Sequence, residues 1–450
     1  MAGKKPPQSF LITPNYPAPF DQRMVNGLAE GFRVLGHAAH ALPSPVSAEQ
    51  LASACRELSI DVVIQVNRTR SQEFPLPPKV RHVAWFQDVF PETSIGFAEK
   101  FHPSDILYAL GDPLVLGLDT AVPCLVGSLV TGVDQAVLDY RQRGSPDSVD
   151  FSLCGFIPRP GIADLVVTET GSRRRDGRSF DQLSALEILG RGSLAEVTRA
   201  APSLLVHLFS PLHISLGEYL RMSKVVRDNY QPLRGNLDIK ALAAALRAAD
   251  VGPDKEGSTA FEIAANIADR LRNTGLPRLR PRENAISYLA RDYPRMLDRV
   301  ALVKSILEVS NSLLLHGIGW GAYPAFRPYA KGNIENLDLL LDTYCRSRIN
   351  LANNTHGLGL HSRTLECMAV GGFIFIHESP HDDKPGGMLS AFEPGRHYGS
   401  YTPMTIQDEA KRWLRDDEAR MQAGQQAKAV IREAHCWHHR AQQILYDLAR

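Results

Sequence analysis

Residues Asn353 to Ile376 read NNTHGLGLHSRTLECMAVGGFIFI and combine the residue types that hold an anionic ligand. Gly357 and Gly359 form a flexible approach. His361 and Ser362 precede a stretch of helical periodicity, Gly371 and Gly372 stop it, and a strand of Phe and Ile follows. The spacing predicts a helix beginning near Ser362, with Ser362 as its N-cap. A strand–loop–helix–strand unit aims the unpaired N–H groups of the helix start at the edge of a parallel sheet, a ready site for a diphosphate. Arg363 and Glu366 stand three residues apart and share a helix face. An arginine grips a phosphate with a bidentate fork, and a carboxylate one turn along can accept two hydrogen bonds from ribose hydroxyls. For an isolated R-x-x-E a surface ion pair is the simpler reading. The Gly-rich approach and the Gly-Gly stop favour the ligand, with Asn353, His361 and Ser362 in the same constellation.

A second loop, GIGWG, carries Gly317, Gly319 and Gly321 after an apolar run. Alone it is a weak cofactor signal, because the acidic residue expected about 20 positions later is ambiguous between Asp338 and Asp342. Trp320 can stack on a ligand or fill the core. His435, His438 and His439 could share one helix face as metal ligands, but no fourth ligand presents itself, and a packed terminal helix is the better reading. Asp382 and Asp383 read as a solvated loop. No G-x-S-x-G elbow is present, which disfavours a Ser-His-Asp hydrolase.

These residues need a scaffold, and the pattern supplies an α/β one. Residues 1–140 alternate short apolar runs (Ser9–Thr13, Asp61–Val66, His82–Phe86, Ile106–Leu110, Leu125–Val130) with amphipathic helices over Met24–Leu35 and from Ser47, where Gln50 completes a capping box, through Leu58. That rhythm indicates parallel βαβ units. The polar stretch Arg141–Asp147 reads as a linker. Residues 150–430 form a second unit, opening on the strand Phe151–Phe156. A long, largely helical insertion over about 176–307 interrupts it. Strands at Ser312–His316, Ile349–Leu351 and Gly372–Ile376 then alternate with helices at Leu337–Arg346 and Thr364–Val370. The tail from Gln407 is helical, and residues 431–450 form a terminal helix able to pack back toward the first unit.

Composition narrows the partners. The chain has 450 residues, 50 basic and 49 acidic, so bulk charge gives no reason to expect nucleic acid. Arg173, Arg174, Arg175 and Arg178 form a basic run among Gly and Ser that reads as a solvated loop. Six cysteines without a CxxC suit a reducing cytoplasm. No apolar run approaches the roughly 18–20 residues that span a bilayer, and the N-terminus lacks a signal-peptide core, so any membrane contact is expected to be peripheral.

The segment Ile349–Ile376 resembles the C-terminal half of CgeB-like glycosyltransferases, within the larger group-1 transferases, which carry R-x-x-E-x-x-A-x-G-G-F after an I-N-L strand. Leu313–Trp320, Phe392–Gly395 and His435–Arg440 extend the likeness, and His82–Asp88 resembles the family more loosely. The resemblance covers about residues 297–448 well, the first unit loosely and the insertion hardly at all. It implies a GT-B-like fold: two facing Rossmann-like domains, the donor in the C-terminal one, the acceptor mostly in the other. It implies a bacterial-type hexosyltransferase that uses a nucleotide-sugar as substrate and no cofactor or metal. The acceptor stays open among small molecule, polysaccharide and protein. Glu366 matches the glutamate that grips the donor ribose, and Gly317, Gly319, Trp320 and Arg363 fall beside the donor. Many members carry a sugar-contacting glutamate eight positions earlier, where this chain has Leu358. For sugar transfer a base must take the acceptor's proton. Asp88, just beyond a strand end, is one candidate, His102 another, and Thr13-Pro14-Asn15 a further cleft-edge loop. A nucleotide-sugar 2-epimerase and a non-catalytic sugar-nucleotide-binding module are the alternatives of similar architecture.

Overall fold

The computed structural model describes residues 6–87, 97–142 except Gly117 and Asp119, 148–157, 293–353 except Pro324 and Glu335, and 357–450. Among them are two parallel six-stranded sheets. The first contains β1 (Ser9–Thr13), β2 (Ala38–Ala41), β3 (Val62–Val66), β4 (Arg81–Phe86), β5 (Ile106–Ala109) and β6 (Leu125–Ser128), in the order β2-β1-β3-β4-β5-β6. Every residue of β3 is buried, as a strand covered on both faces requires. Its helices are α1 (Pro19–Val34) and α2 (Ala48–Glu57). The Ser47–Gln50 capping box opens α2 with both reciprocal bonds, at 3.1 and 3.0 Å. Helix α1 begins five residues before the apolar periodicity does. Pro19 sets its first turn, and Phe20 and Arg23 are polar-side residues of that turn, so burial periodicity does not reveal them.

A single turn, α3 (Gln135–Leu138), lies on the crossover to β7 (Val149–Cys154), the first strand of the second sheet. Next come α4 (Tyr293–Leu307), β8 (Leu313–His316), β9 (Ala330–Gly332), α5 (Leu337–Arg346) and β10 (Ser347–Ala352). They are followed by α6 (Ser362–Ala369), β11 (Ile374–His377) and β12 (Gly399–Tyr401). The order is β12-β11-β10-β7-β8-β9. The order of strand addition reverses between β7 and β10, so the topological switch falls there, at the carboxyl ends where such sheets bind ligands. Asn350 ties the switch together inside the core: its Oδ1 accepts from Ser152 Oγ at 2.9 Å, and its Nδ2 donates to the Tyr344 carbonyl at 3.1 Å. Strands β2, β9 and β12 escape the sequence reading because three or four residues rich in Ala or Gly make no periodic signal. Most of the helical insertion, the Arg173–Arg178 cluster and most of the Arg141–Asp147 linker lie outside the described residues.

Helices α7 (Ile406–Arg415) and α8 (Asp417–Ala434) pack on the second sheet, and α9 (Trp437–Asp447) crosses to the first. Trp437, Ala441, Ile444 and Leu448 join the core of the first sheet beside Met24, Leu28 and Trp85. Val133 and Cys436 pair as a short parallel bridge, so the two chain crossings between domains run side by side. Arg440 pins them, with Nε donating to the Thr131 carbonyl at 3.2 Å and Nη2 to His435 Nδ1 at 2.6 Å. Burial and the adjacent Arg440 hold His435 neutral, with its pKa lowered to about 3. The carboxyl-edge loops of the two sheets therefore meet. The Asp112 N–H donates to the Pro385 carbonyl at 2.7 Å, and Arg23 of α1 reaches Glu366 of α6. This is the GT-B arrangement, two Rossmann-like domains with facing edges. Trp437→Ala is expected to lower unfolding stability by about 3–5 kcal/mol, read by urea denaturation. A loss under about 1 kcal/mol would show that α9 is not a core element of the first domain.

Candidate donor site at the domain interface

Helix α6 presents its start to the switch between β7 and β10. It begins one residue off the expected frame: His361, not Ser362, is the N-cap, with extended backbone and Nδ1 facing the Arg363 N–H at 3.5 Å. Ser362 is the first helical residue and its hydroxyl lies 3.1 Å from the same Nδ1. The helix ends where expected. Gly371 takes a φ of +85°, the Gly372 N–H donates to Cys367 and that of Gly371 to Met368, a Schellman cap.

Arg363 and Glu366 do not pair with each other. Arg363 crosses the switch, and its Nη1 donates to the Cys154 carbonyl at the end of β7, at 2.8 Å. Glu366 turns toward the first domain and meets Arg23 Nη2 at 3.3 Å. Burial raises the Glu366 pKa, and the Arg23 charge and hydrogen bond oppose that shift. Around this pair lies a cavity of about 20 Å³, lined in part by Phe20, Arg23, Asp134, Ser362, Glu366 and Trp437. That is room for about one water. Asp134 is the functional candidate that the sequence reading missed. Burial lifts its carboxyl to about 6, against the pull of Arg23. A lone Asp before one helical turn carries no sequence signal; only the fold sets it beside Glu366.

The GIGWG loop packs against protein. Gly317 and Gly319 take φ of +123° and +100°, and a Cβ on either would stand 2.4 Å from the Gly155 carbonyl or 2.0 Å from that of Ile157. Their freedom serves the close approach of the loops after β7 and β8. Trp320 as a stacking partner for a ligand is corrected. It is fully buried, and its Nε1 donates to the Gly155 carbonyl at 2.8 Å, so it supports the loop from behind. Asn353 follows β10 at the carboxyl edge, and among the described residues its buried Oδ1 has no hydrogen-bond partner; the same holds for Thr13 Oγ1 at the end of β1.

His102 as a base is also corrected. It lies exposed before β5, hydrogen-bonded to Ser104, whose carbonyl accepts from Arg81 at the first residue of β4. That is the amino edge of the sheet, opposite the cleft. Asp88 lies outside the described residues. Leu358 leaves its own domain and joins the core around Phe86, Phe97 and Leu107 of the first. Asp382 corrects the solvated-loop reading: it is buried and accepts from the Ser379 N–H at 2.8 Å. Among the described residues, Cys436, His438 and His439 have donor atoms within 4.8 Å of one another. Their chemistry is already used, since His439 Nδ1 accepts from the Cys436 N–H at 3.1 Å and burial raises the thiol pKa.

Residues 294–446 match a family model described as glycosyl transferase-like. The match covers the C-terminal third of the chain, which is similar to a glycosyl transferase-like domain. A search of curated proteins finds no match. Solved structures similar over nearly the whole chain include a glycosyltransferase from Rickettsia africae ESF-5, at 10% identity and a TM-score of 0.44, covering 99% of this chain and 98% of that one. Another is Anabaena Alr3699/HepE in complex with UDP and glucose, at 10% and 0.45, covering 98% and 99%. A third is sucrose-phosphate synthase from Thermosynechococcus elongatus, at 9% and 0.45, covering 98% of each. The matched segment contains α6, whose Glu366 pairs with Arg23 of the first domain within the field of Asp134.

The raised pKa of Asp134 carries a sign for stability. Its folded value, about 6, lies above the ordinary aspartate value of 3.8, so its stabilising contribution is complete below the unfolded pKa and is lost as pH rises through 6. Asp134→Asn, which cannot ionise, is expected to be more stable than the wild type by about 2 kcal/mol at pH 8. The gap should close between pH 6 and 4 in denaturant titrations. A gap independent of pH would refute the assignment.

Proposed function

We propose that the chain transfers a sugar from a nucleoside diphosphate-sugar to an acceptor hydroxyl, without a metal ion or other cofactor. The observation that carries this reading is the position of Arg363. It leaves the start of α6 and reaches the end of β7, so helix-start N–H groups and a guanidinium border the same crevice at the topological switch. In that crevice the donor diphosphate lies with its phosphates toward Arg363, His361 and Ser362. Glu366, one turn along, holds the ribose. Arg23 occupies Glu366 in this structure, so a ribose exchanges with that guanidinium, and donor binding loosens one contact between the domains.

Sugar transfer breaks the bond between the anomeric carbon and the phosphate oxygen and forms one to the acceptor oxygen. The electron pair of the broken bond goes to the diphosphate, and the helix-start amides with Arg363 stabilise the growing charge. The acceptor proton goes to a base on the first domain. Asp88, following the carboxyl end of β4, is the proposed base. Asp134 sits beside Glu366, at the nucleoside end, and is not positioned for that step. Leu358, seated in the first domain, leaves the sugar without the acidic contact that many group-1 members use. Among the described residues no helix is long and apolar enough to cross a membrane. Six free cysteines fit a cytoplasmic setting.

Calorimetry with UDP, GDP, dTDP and ADP tests the reading. At least one is expected to bind equally well with and without EDTA. Glu366→Gln should weaken that binding by about 1–3 kcal/mol, and Arg363→Ala should lower kcat as well as affinity. Wild-type affinity in both variants, with slightly reduced melting temperatures, would overturn the site.

A further inference from the structure

One arginine at the domain interface stands within reach of two carboxyls and is paired with one of them. Arg23 of α1 meets Glu366 of α6, Nη2 to Oε1, at 3.3 Å. Asp134, on the crossover between the domains, borders the same small cavity as both. It is the N-cap of α3, where an aspartate ordinarily accepts from the first N–H groups of the helix. Asp134 makes no such bond. Thr131, three residues earlier, lines the cavity as well. It is buried, and its Oγ1 has no hydrogen-bond partner among the described residues. A carboxyl that does not cap its helix and an unmet hydroxyl, on one wall of the cavity, make a second seat for a guanidinium. Arg23 can reach for it. Its side chain is 30% exposed against 13% for Glu366, so its head moves through partly hydrated space while the carboxylate stays. The centroid of the Phe20 ring, one turn earlier on α1, lies 5.8 Å from the guanidinium carbon and gives it a surface to turn on.

One cation serves two acids here. Burial disfavours the charge of Asp134 and of Glu366, and Arg23 opposes burial at each. Asp134 also faces Glu366 itself and the Cys436 thiol before α9, which burial keeps protonated, while Arg363 adds a weaker pull on Glu366. We propose that Arg23 is a two-position latch: it holds Glu366 while the donor is absent and passes to Asp134 and Thr131 when a ribose takes Glu366. The proposal rests on the donor-site reading above for the ribose and extends it to the cation that the ribose displaces. The transfer frees α6 from α1 without leaving a guanidinium or a carboxylate unpaired at the interface. The domains keep their register at the crossover, and Glu366 waits ionised for the ribose hydroxyls. Arg23 is thus a positioning residue. Before the transfer the Asp134 carboxyl titrates at about 6; after it, with a cation seated on it, the value is lower. The liganded protein then holds fewer protons, so donor affinity rises with pH as far as about 6 and levels off above.

Two experiments on the full chain test the latch, the first without ligand. Asp134→Asn is expected to raise the urea midpoint of the wild type at pH 8, as argued above. Glu366→Met offers Arg23 no acceptor and imitates a carboxylate already taken. In that background Arg23 moves to Asp134, so Asp134→Asn should lower the midpoint, with the unfolding constant rising roughly 10-fold. Stabilisation of the same size in both backgrounds overturns the latch. Should Glu366→Met fail to fold, Glu366→Gln takes its place, and undiminished stabilisation there overturns the latch likewise. The second experiment uses UDP-glucose, GDP-mannose, dTDP-glucose and ADP-glucose, whose phosphates are diesters and lack the ionisation that a terminal phosphate has at about pH 6. Calorimetry should show the probe that binds gaining affinity as pH rises to about 6, and Asp134→Asn should flatten that rise and weaken binding roughly 10-fold at about pH 8. A rise that persists in Asp134→Asn belongs to Glu366 and overturns the latch. Probe binding that weakens in Glu366→Gln, without the reversal in unfolding, overturns the latch and leaves the donor site standing. The reversal, in a protein that binds none of the four probes, keeps the latch and overturns the donor reading.

Discussion

Trp437 occupies a socket whose walls are glycine, and the relation of the two domains depends on that fit. A Cβ on Gly27 would stand 2.1 Å from its Nε1, one on Gly31 2.6 Å from its carbonyl, and one on Gly132 2.6 Å from its Cδ2. Gly27 and Gly31 are one turn apart on α1, so they clear a single groove along that helix. Gly132 clears the other side from the crossover. The indole stands edge-on to Trp85, with centroids 6.2 Å apart. No flexible side chain lines these three points of contact, so the ring cannot shift cheaply. Because the last helix belongs in sequence to the second domain but in packing to the first, this contact fixes which edges of the two sheets face each other.

That constraint explains where charge is left under tension. Away from the interface, most buried polar groups are matched: Asn350 and Ser152 satisfy each other, and Asp105 binds Arg70 at 2.5 Å. Among the described residues, buried polar atoms without a hydrogen bond occur both at the facing edges, on Thr13, Thr131, His316 and Asn353, and away from them, on His82, Tyr344, Arg346, Trp413 and Arg299. The first four lie at or just beyond the carboxyl end of a strand or on the crossover. Parallel strands place all such ends at one edge, where sheets of this kind commonly bind ligands. Leu358 is the counterexample that fits the same logic. An apolar residue in the loop after β10 finds its partners in the opposite core, and so anchors the loop that leads into α6.

The sequence made the fold legible wherever burial was periodic. All-buried runs such as Val62–Val66 and capped helices such as Ala48–Glu57 declare themselves. The Gly371-Gly372 stop names both the end of α6 and the turn into β11. The site was legible in part. Position and spacing marked Arg363 and Glu366 as a pair on one face, yet not that they reach in opposite directions to Cys154 and Arg23. Spacing fixes the angle between two side chains and says nothing of what stands opposite. Trp320 could not be placed by its loop, because a tryptophan after glycine can face ligand or core. Only the carbonyl of Gly155, 165 residues earlier, decides it. Asp134 was illegible for the same reason. It becomes a candidate through partners far away in the chain.

Arg23 and Arg299 treat the same chemistry in opposite ways, and the contrast bears on how the enzyme cycles. Arg23 is part-exposed and finds a carboxylate, so its pairing with Glu366 is a contact that ligand can replace at small cost, since the guanidinium recovers water as it leaves. Arg299 is buried and lacks such an exit. Its charge lies over the Phe156 ring, and Asp298 alone among the acids opposes the burial that disfavours it. On the donor reading proposed above, a nucleoside diphosphate entering the crevice would compete with Arg23 for Glu366, so that its binding would exchange a contact between the domains for one to ligand.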